Sequence, residues 1–220
     1  MAIERPSPNF DGRTGPVDIL LLHYTGMQSA GAALDRLCDP AAKVSCHWLI
    51  DEDGTVHRLV DEGMRAWHAG QSFWAGVRDI NSRSIGIELV NPGHEWGYRP
   101  FPPAQMAALA DLAAGILARH PIPAQRVLGH SDVAPTRKQD PGELFDWAWL
   151  AQRGIGLWPA ADTPAMTGNP AALLIAIGHE AATPADVAAF QRRYRPTRID
   201  GTIDDETARK IRQVATLHGI

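Results

Sequence analysis

Two hydrophobic periods alternate along this chain, and each marks out a different kind of element. VDILLLHYT (17–25) is a nearly continuous apolar run ending in polar residues, the pattern of a buried strand. Alternation puts Ile19, Leu21 and His23 on one face, with His23 at the strand's end. SAGAALDRLCDP (29–40) reads as a short helix stopped by Pro40. SCHWLI and TVHRLV flank DEDG, whose Asp53-Gly54 pair predicts a hairpin. RSIGIELVNPG (83–93) sets Ile85, Ile87 and Leu89 against Gly86, Glu88 and Val90, so a strand carries a glutamate inside an apolar run. PPAQMAALADLAAGILARH (102–120) is an Ala- and Leu-rich helix with proline near its start. RVLGH (126–130) is a short strand running into a loop, and PGELFDWAWLAQRG (141–154) predicts a helix with Pro141 in its first turn.

Interleaved strands and helices predict an α/β architecture, a mixed central sheet flanked by helices. The pattern then changes. GLWPAADTPAMTGNP is rich in proline, glycine and small residues, so 156–170 reads as a linker between a domain at 1–155 and a smaller one at 171–220. That last segment holds three short helical stretches, NPAALLIAIGH, PADVAAFQRRYR and DDETARKIRQVATL.

Composition narrows the function. The 220 residues are 45% hydrophobic with a net charge of −4 and no basic stripe, so nucleic acid is not an expected partner. No apolar run approaches the ~18 residues a membrane span needs. MAIERPSPNFDGRTG lacks the apolar stretch of an export signal, so the expected location is cytoplasmic. Cys38 and Cys46 do not make a disulfide framework.

The chemistry must come from scattered positions, because GxSxG, HExxH, the Walker loop and GxGxxG are all missing. His23 and His130 at strand ends, with Asp140 in the loop after His130, form a donor set suited to a catalytic zinc with an open fourth position. With nine histidines in the chain, structural roles for each remain an alternative. Glu88, inside its apolar strand, has the burial that raises a carboxyl toward a useful pKa, and Gly86 leaves room beside it. Lys138 lies two residues before Asp140 and suits an oxyanion, although a solvated loop lysine has the same signature. In RAWHAGQSFWAG (65–76), Trp67, His68 and Trp74 either line a groove or cap the core. Cys46 and His47 fall on opposite faces of a strand, which argues against a thiol nucleophile and for a buried cysteine.

HYTG, SCHWLIDEDGTVHRLV, RAWHAGQSFW, NSRSIGIELVN and GHSDVAPTRKQDPGELFDW, in this order, resemble the type-2 zinc N-acetylmuramoyl-L-alanine amidases over roughly residues 5–152. The resemblance implies one zinc ion on His23, His130 and Asp140, Glu88 as the catalytic proton carrier, and Lys138 stabilising the tetrahedral intermediate. It also implies hydrolysis of the amide between the lactyl group of N-acetylmuramic acid (the 1,6-anhydro form in wall recycling) and L-alanine. Muropeptides or peptidoglycan would then be the partners. VAAFQRRYRPTRIDGTIDDETARKI is similar to a small three-helix peptidoglycan-binding domain, which either binds glycan or packs against the amidase domain and shapes its cleft. An extracytoplasmic amidase acting on intact wall, and a binding module without turnover, are the alternatives. Oligomeric state is not legible in the sequence.

Overall fold

Parallel pairing of buried strands organises the computed structural model, which describes residues 2–220. In chain order the first elements are β1 (Ile3–Glu4), β2 (Phe10–Gly12), β3 (Ile19–Tyr24), α1 (Ala30–Cys38), β4 (Trp48–Ile50), β5 (Val56–Arg58) and β6 (Met64–Ala66). There follow α2 (Ile80–Arg83), β7 (Ser84–Leu89), α3 (Gly93–Trp96), α4 (Pro103–Arg119), a 3-10 turn at Ala124–Arg126, β8 (Val127–Gly129), α5 (His130–Val133) and α6 (Trp147–Ala151). The chain ends in α7 (Pro170–Ile177), α8 (Pro184–Tyr194) and α9 (Asp205–His218).

Six strands form one mixed sheet in the order β1-β5-β4-β7-β3-β8, in which β4 and β5 pair antiparallel and the remaining neighbours are parallel. The expected α/β class and the hairpin around Asp53-Gly54 are both present. A separate ribbon pairs β2 with β6. On one face Leu20, Leu22, Ile85, Ile87 and Leu89 pack against Leu109 and Ile116 of α4. Each such fully buried aliphatic side chain contributes ~1.5–3 kcal/mol. On the opposite face Ile19, Leu21 and Leu128 pack with Phe190, Ile211 and Val214, so α8 and α9 cover the sheet itself.

The connecting stretch at 157–169 carries no helix or strand, yet it is tied to α9: Gln213 Nε2 donates to Thr163 O at 2.8 Å and Arg212 Nε to Gly168 O at 3.2 Å. One expected helix is corrected. Residues 141–146 are not helical, and α6 starts only after Asp146, whose side chain accepts from Trp149 N at 2.8 Å. The reason is Tyr98. Its hydroxyl donates to Pro141 O at 2.7 Å and accepts from Leu144 N at 3.0 Å, so local backbone groups are satisfied outside a helix. Gly142 sits against that hydroxyl at φ +89°, where a Cβ would lie 2.2 Å from it. No helix among the described residues is long and apolar enough to cross a membrane.

Candidate metal centre and catalytic cleft

Strand register brings the first two groups together. β3 and β7 run parallel with His23 opposite Glu88, so both side chains leave the same face at the sheet's C-terminal edge. Further down that face Leu21 lies opposite Gly86, and Ile19 opposite Ser84. His130 follows directly on β8 as the first residue of α5. Asp140 returns to it because Ser131 N donates to Asp140 O at 2.9 Å, while Arg137 N and Lys138 N turn the loop by donating to Ala134 O. Gly129 permits this closure, since a Cβ there would lie 2.7 Å from Pro141 Cδ.

The outcome is a triangle of potential ligand atoms. His23 Nδ1 lies 2.9 Å from His130 Nδ1, and each lies 3.1 Å from Asp140 Oδ2. All three residues are buried, His23 at 1% exposure. The surrounding hydrogen bonds fix where the protons sit. Ser84 Oγ donates to Ile80 O at 2.7 Å, which leaves its lone pairs to accept from His68 Nε2 at 3.3 Å. His68 Nδ1 is then an acceptor for His23 Nε2–H at 3.0 Å, and the lone pair of His23 Nδ1 faces the centre. His130 Nε2–H donates to Ala69 O at 3.0 Å, so the Nδ1 of a neutral ring faces the centre too.

Three acceptor atoms about 3 Å apart with no proton between them repel one another unless a cation joins them. A tetrahedral metal with bonds of ~2.0–2.2 Å spaces its ligands by roughly 3.3 Å, close to this arrangement. The donor set therefore fits a divalent metal. Electrostatics agrees. Burial pushes His23 down to about 4, so the ring is neutral at pH 7. Burial opposes ionisation of Asp140, but positive charge at its two ring neighbours outweighs it and holds the carboxyl well below the usual range; with both rings neutral, a metal cation would supply that charge. The carbonyl and imidazole behind the two rings are the outer partners that ordinarily orient metal-binding histidines.

Beside the triangle opens a cleft of about 200 Å³ lined by Glu88, Lys138, Trp67, His68 and Tyr24 among others. Glu88 Oε2 is secluded from water and has no hydrogen-bond partner among the described residues. Burial, with Asp140 adding its charge, raises the Glu88 carboxyl well above the ordinary 4.5. Lys138 forms no ion pair among the described residues and stays half-exposed at the same cleft. Trp67 presents an indole Nε1 that likewise lacks a partner.

Two expectations change. Trp74 does not line the cleft: it is 4% exposed and packs edge-on to His179 at 5.1 Å, under the turn after α7. His68 reaches the cleft, but its ring nitrogens are committed to His23 and Ser84. It fills the room that Gly86 leaves, since a Cβ at Gly86 would lie 2.6 Å from His68 Nδ1. That room was expected to serve Glu88. The thiol alternative fails on burial, which pushes Cys46 well above 9.0 and keeps it a neutral thiol. His47 faces away from it, its Nδ1 accepting from Gly86 N at 2.9 Å.

Sequence reasoning missed Tyr24, whose hydroxyl meets His94 Nδ1 at 2.9 Å, with His94 Nε2 3.2 Å from Glu143. Burial, with Asp140 nearby, raises Tyr24 to about 12, so the phenol keeps its proton. Its place directly after His23 at a strand end was the available signal.

A mixed sheet with two imidazoles and a carboxylate converging beside a secluded glutamate is the arrangement of a metal-assisted amide hydrolase. Residues 13–143 match the N-acetylmuramoyl-L-alanine amidase family. The chain belongs to that family and is an N-acetylmuramoyl-L-alanine amidase. It is 38% identical over 222 residues to the N-acetylmuramoyl-L-alanine amidase AmiD of Escherichia coli K12, spanning 87% of this chain and 79% of that one. It is 37% identical over 161 residues to the 1,6-anhydro-N-acetylmuramyl-L-alanine amidase AmpD of Haemophilus influenzae, spanning 64% of this chain and 85% of that one. Among solved structures, E. coli AmiD in complex with the substrate anhydro-N-acetylmuramic acid-L-Ala-D-γ-Glu-L-Lys superposes with TM-score 0.79 at 36% identity, covering 92% of this chain and 89% of that one. AmpDh3 of Pseudomonas aeruginosa superposes with TM-score 0.82 at 32% identity, covering 93% of each chain.

Proposed function

We propose that this amidase acts on soluble anhydro-muropeptides in wall recycling, cleaving between the lactyl carbonyl of anhydro-N-acetylmuramic acid and L-alanine. One zinc ion is held by His23, His130 and Asp140. The observation that carries this reading is the convergence of three proton-free ligand atoms beside an unpaired, secluded carboxyl. The substrate class draws on the relatives, one of which was solved with an anhydro-muropeptide. A soluble fragment of that kind suits a cytoplasmic enzyme.

Zinc in this site would acidify a water toward pKa ~7 and polarise the scissile carbonyl. The chain's own groups do the rest. Glu88, whose Oε2 has no competing partner, takes up the proton released on attack and passes it to the departing amine of L-alanine. Lys138 Nζ, free of a carboxylate partner, meets the negative charge that builds on the carbonyl oxygen. His68 acts behind the metal by fixing the tautomer of His23. Trp67 offers its ring face and an unpartnered N–H to the sugar or peptide. We read 1–155 as the amidase unit, 156–170 as its connector and 171–220 as a helical unit that buttresses the sheet.

Incubation with soluble anhydro-muropeptide and with polymeric sacculi, each with and without chelator, tests this by mass spectrometry of the products. Chelator-sensitive release of peptide from the soluble fragment, much faster than from sacculi, is the expected result. Preferential cleavage of sacculi would reassign the enzyme to intact wall. Turnover insensitive to chelator would remove the metal.

A further inference from the structure

We infer that Arg193 of α8 is a positioning residue for the metal centre, holding the His130 end of the ligand loop through Asp132. The inference rests on the ligand set proposed above and adds a residue from outside the part of the chain that matches the amidase family.

Asp132 lies two residues after His130 in the single turn of α5. Its Oδ2 accepts from Gly129 N at 2.8 Å, capping the turn whose first residue is His130. The same oxygen accepts from Arg193 Nη1 at 2.8 Å. Arg193 Nη1 also donates to Val127 O at 3.1 Å, at the start of β8. One guanidinium nitrogen therefore ties the strand before His130 to the turn that carries it.

Both partners are 5% exposed, so the contact is shielded from water and salt. The guanidinium further stacks on Trp147, 3.9 Å from its ring centroid. The neighbouring residue reaches the other end of the loop: Arg192 Nε lies 3.7 Å from Glu143 Oε2, three residues beyond Asp140. Two consecutive arginines of α8 thus bracket the loop from His130 to Asp140. Without Arg193, Asp132 is a buried carboxylate lacking its counter-charge. It would turn toward solvent and release Gly129 N, loosening the turn that places the His130 backbone and leaving the Ala69 O contact alone to aim the ring.

The experiment measures zinc affinity of the full chain by chelator competition, alongside thermal unfolding of the metal-free proteins. Arg193→Met keeps length and apolar contact but removes the donors. Val214→Ala, on the buried face of α9, serves as a variant of reduced stability that leaves α8's arginines in place. His130→Ala tests the ligand set itself.

Wild type is expected to bind one zinc and His130→Ala to lose it. Arg193→Met is expected to bind roughly tenfold more weakly, the scale of loss on removing an outer-shell partner, while Val214→Ala binds like wild type. Should Arg193→Met not fold, Asp132→Asn, which keeps the cap but not the charge pair, is expected to weaken zinc several-fold. Wild-type affinity in the folded variant would overturn the role of Arg193 and leave the metal site standing. Equal weakening in Val214→Ala at matched stability would also overturn it. Failure of wild type to bind zinc, or unchanged binding by His130→Ala, would overturn the metal site and this inference with it.

Discussion

Two buried polar clusters in this molecule are built in opposite ways. In the helical segment, Gln191 is fully buried and satisfied on every side. Its Nε2 reaches Asp200 Oδ1, Thr202 O and Thr207 Oγ1 at 3.0, 3.0 and 3.2 Å, while its Oε1 accepts from Asp200 N and Gly201 N. In the cleft, Glu88 Oε2 and Trp67 Nε1 have no partner, and three ligand atoms face one another without a proton between them. Burying an unsatisfied polar atom costs ~1–3 kcal/mol, so the cleft is held together against its own polar groups while Gln191 contributes to holding its region together. The contrast separates recurrence from function. The FQ pair and the DG turn of the C-terminal segment form an internal staple, so these residues have a folding role in that segment.

Substitutions in the two clusters should therefore have opposite signatures. Glu88→Gln is expected to lower kcat by ~10²–10⁴-fold while leaving zinc bound, checked by steady-state kinetics and metal analysis. Equal activity would break the contrast at its strongest point. Lys138→Met is expected to lower kcat by ~10²–10³-fold, with KM and thermal stability little changed. Gln191→Leu is expected to do the reverse. It leaves Asp200 N and Gly201 N without their acceptor and costs ~1–3 kcal/mol in a denaturant titration, with kcat/KM retained.

The smallest effect is a pH dependence. A glutamate whose folded pKa is raised binds more protons folded than unfolded, so stability falls as pH rises from about 4.5 through the folded value. The neutral Glu88→Gln lacks this penalty. In metal-free protein its melting temperature should match wild type near pH 4.5 and exceed it increasingly toward pH 8. A gap that is constant with pH would mean Glu88 is not held protonated by its surroundings.

Local pattern was enough to read the strands, since Ile19–Tyr24 and Ser84–Leu89 fall where apolar runs were expected. The placement of His23 and Glu88 followed from strand ends and alternation, which need no tertiary information. What escaped depends on contacts between distant segments. Gly86 read as space for Glu88, but His68 fills it, because the chain from β6 folds back over β7. Trp74 stayed open between groove and core because an aromatic beside glycine has the same signature over a cleft as over a core. Its burial depends on α7, about 100 residues later in the chain. The turn at 141–146 escaped for a similar reason, since Tyr98 satisfies its backbone from another segment. Packing of the C-terminal helices on the first domain was one of two readings open in the sequence, and periodicity could not decide it, because it gives the apolar face of a helix and not what it packs against.

Anomalous diffraction at the zinc edge from a zinc-loaded crystal addresses the site most directly. One peak within ~2.0–2.2 Å of His23 Nδ1, His130 Nδ1 and Asp140 Oδ2 is expected, beside the Glu88 carboxyl. A peak elsewhere with these three residues unliganded, or no peak at all, would contradict the metal centre and the hydrolytic mechanism built on it.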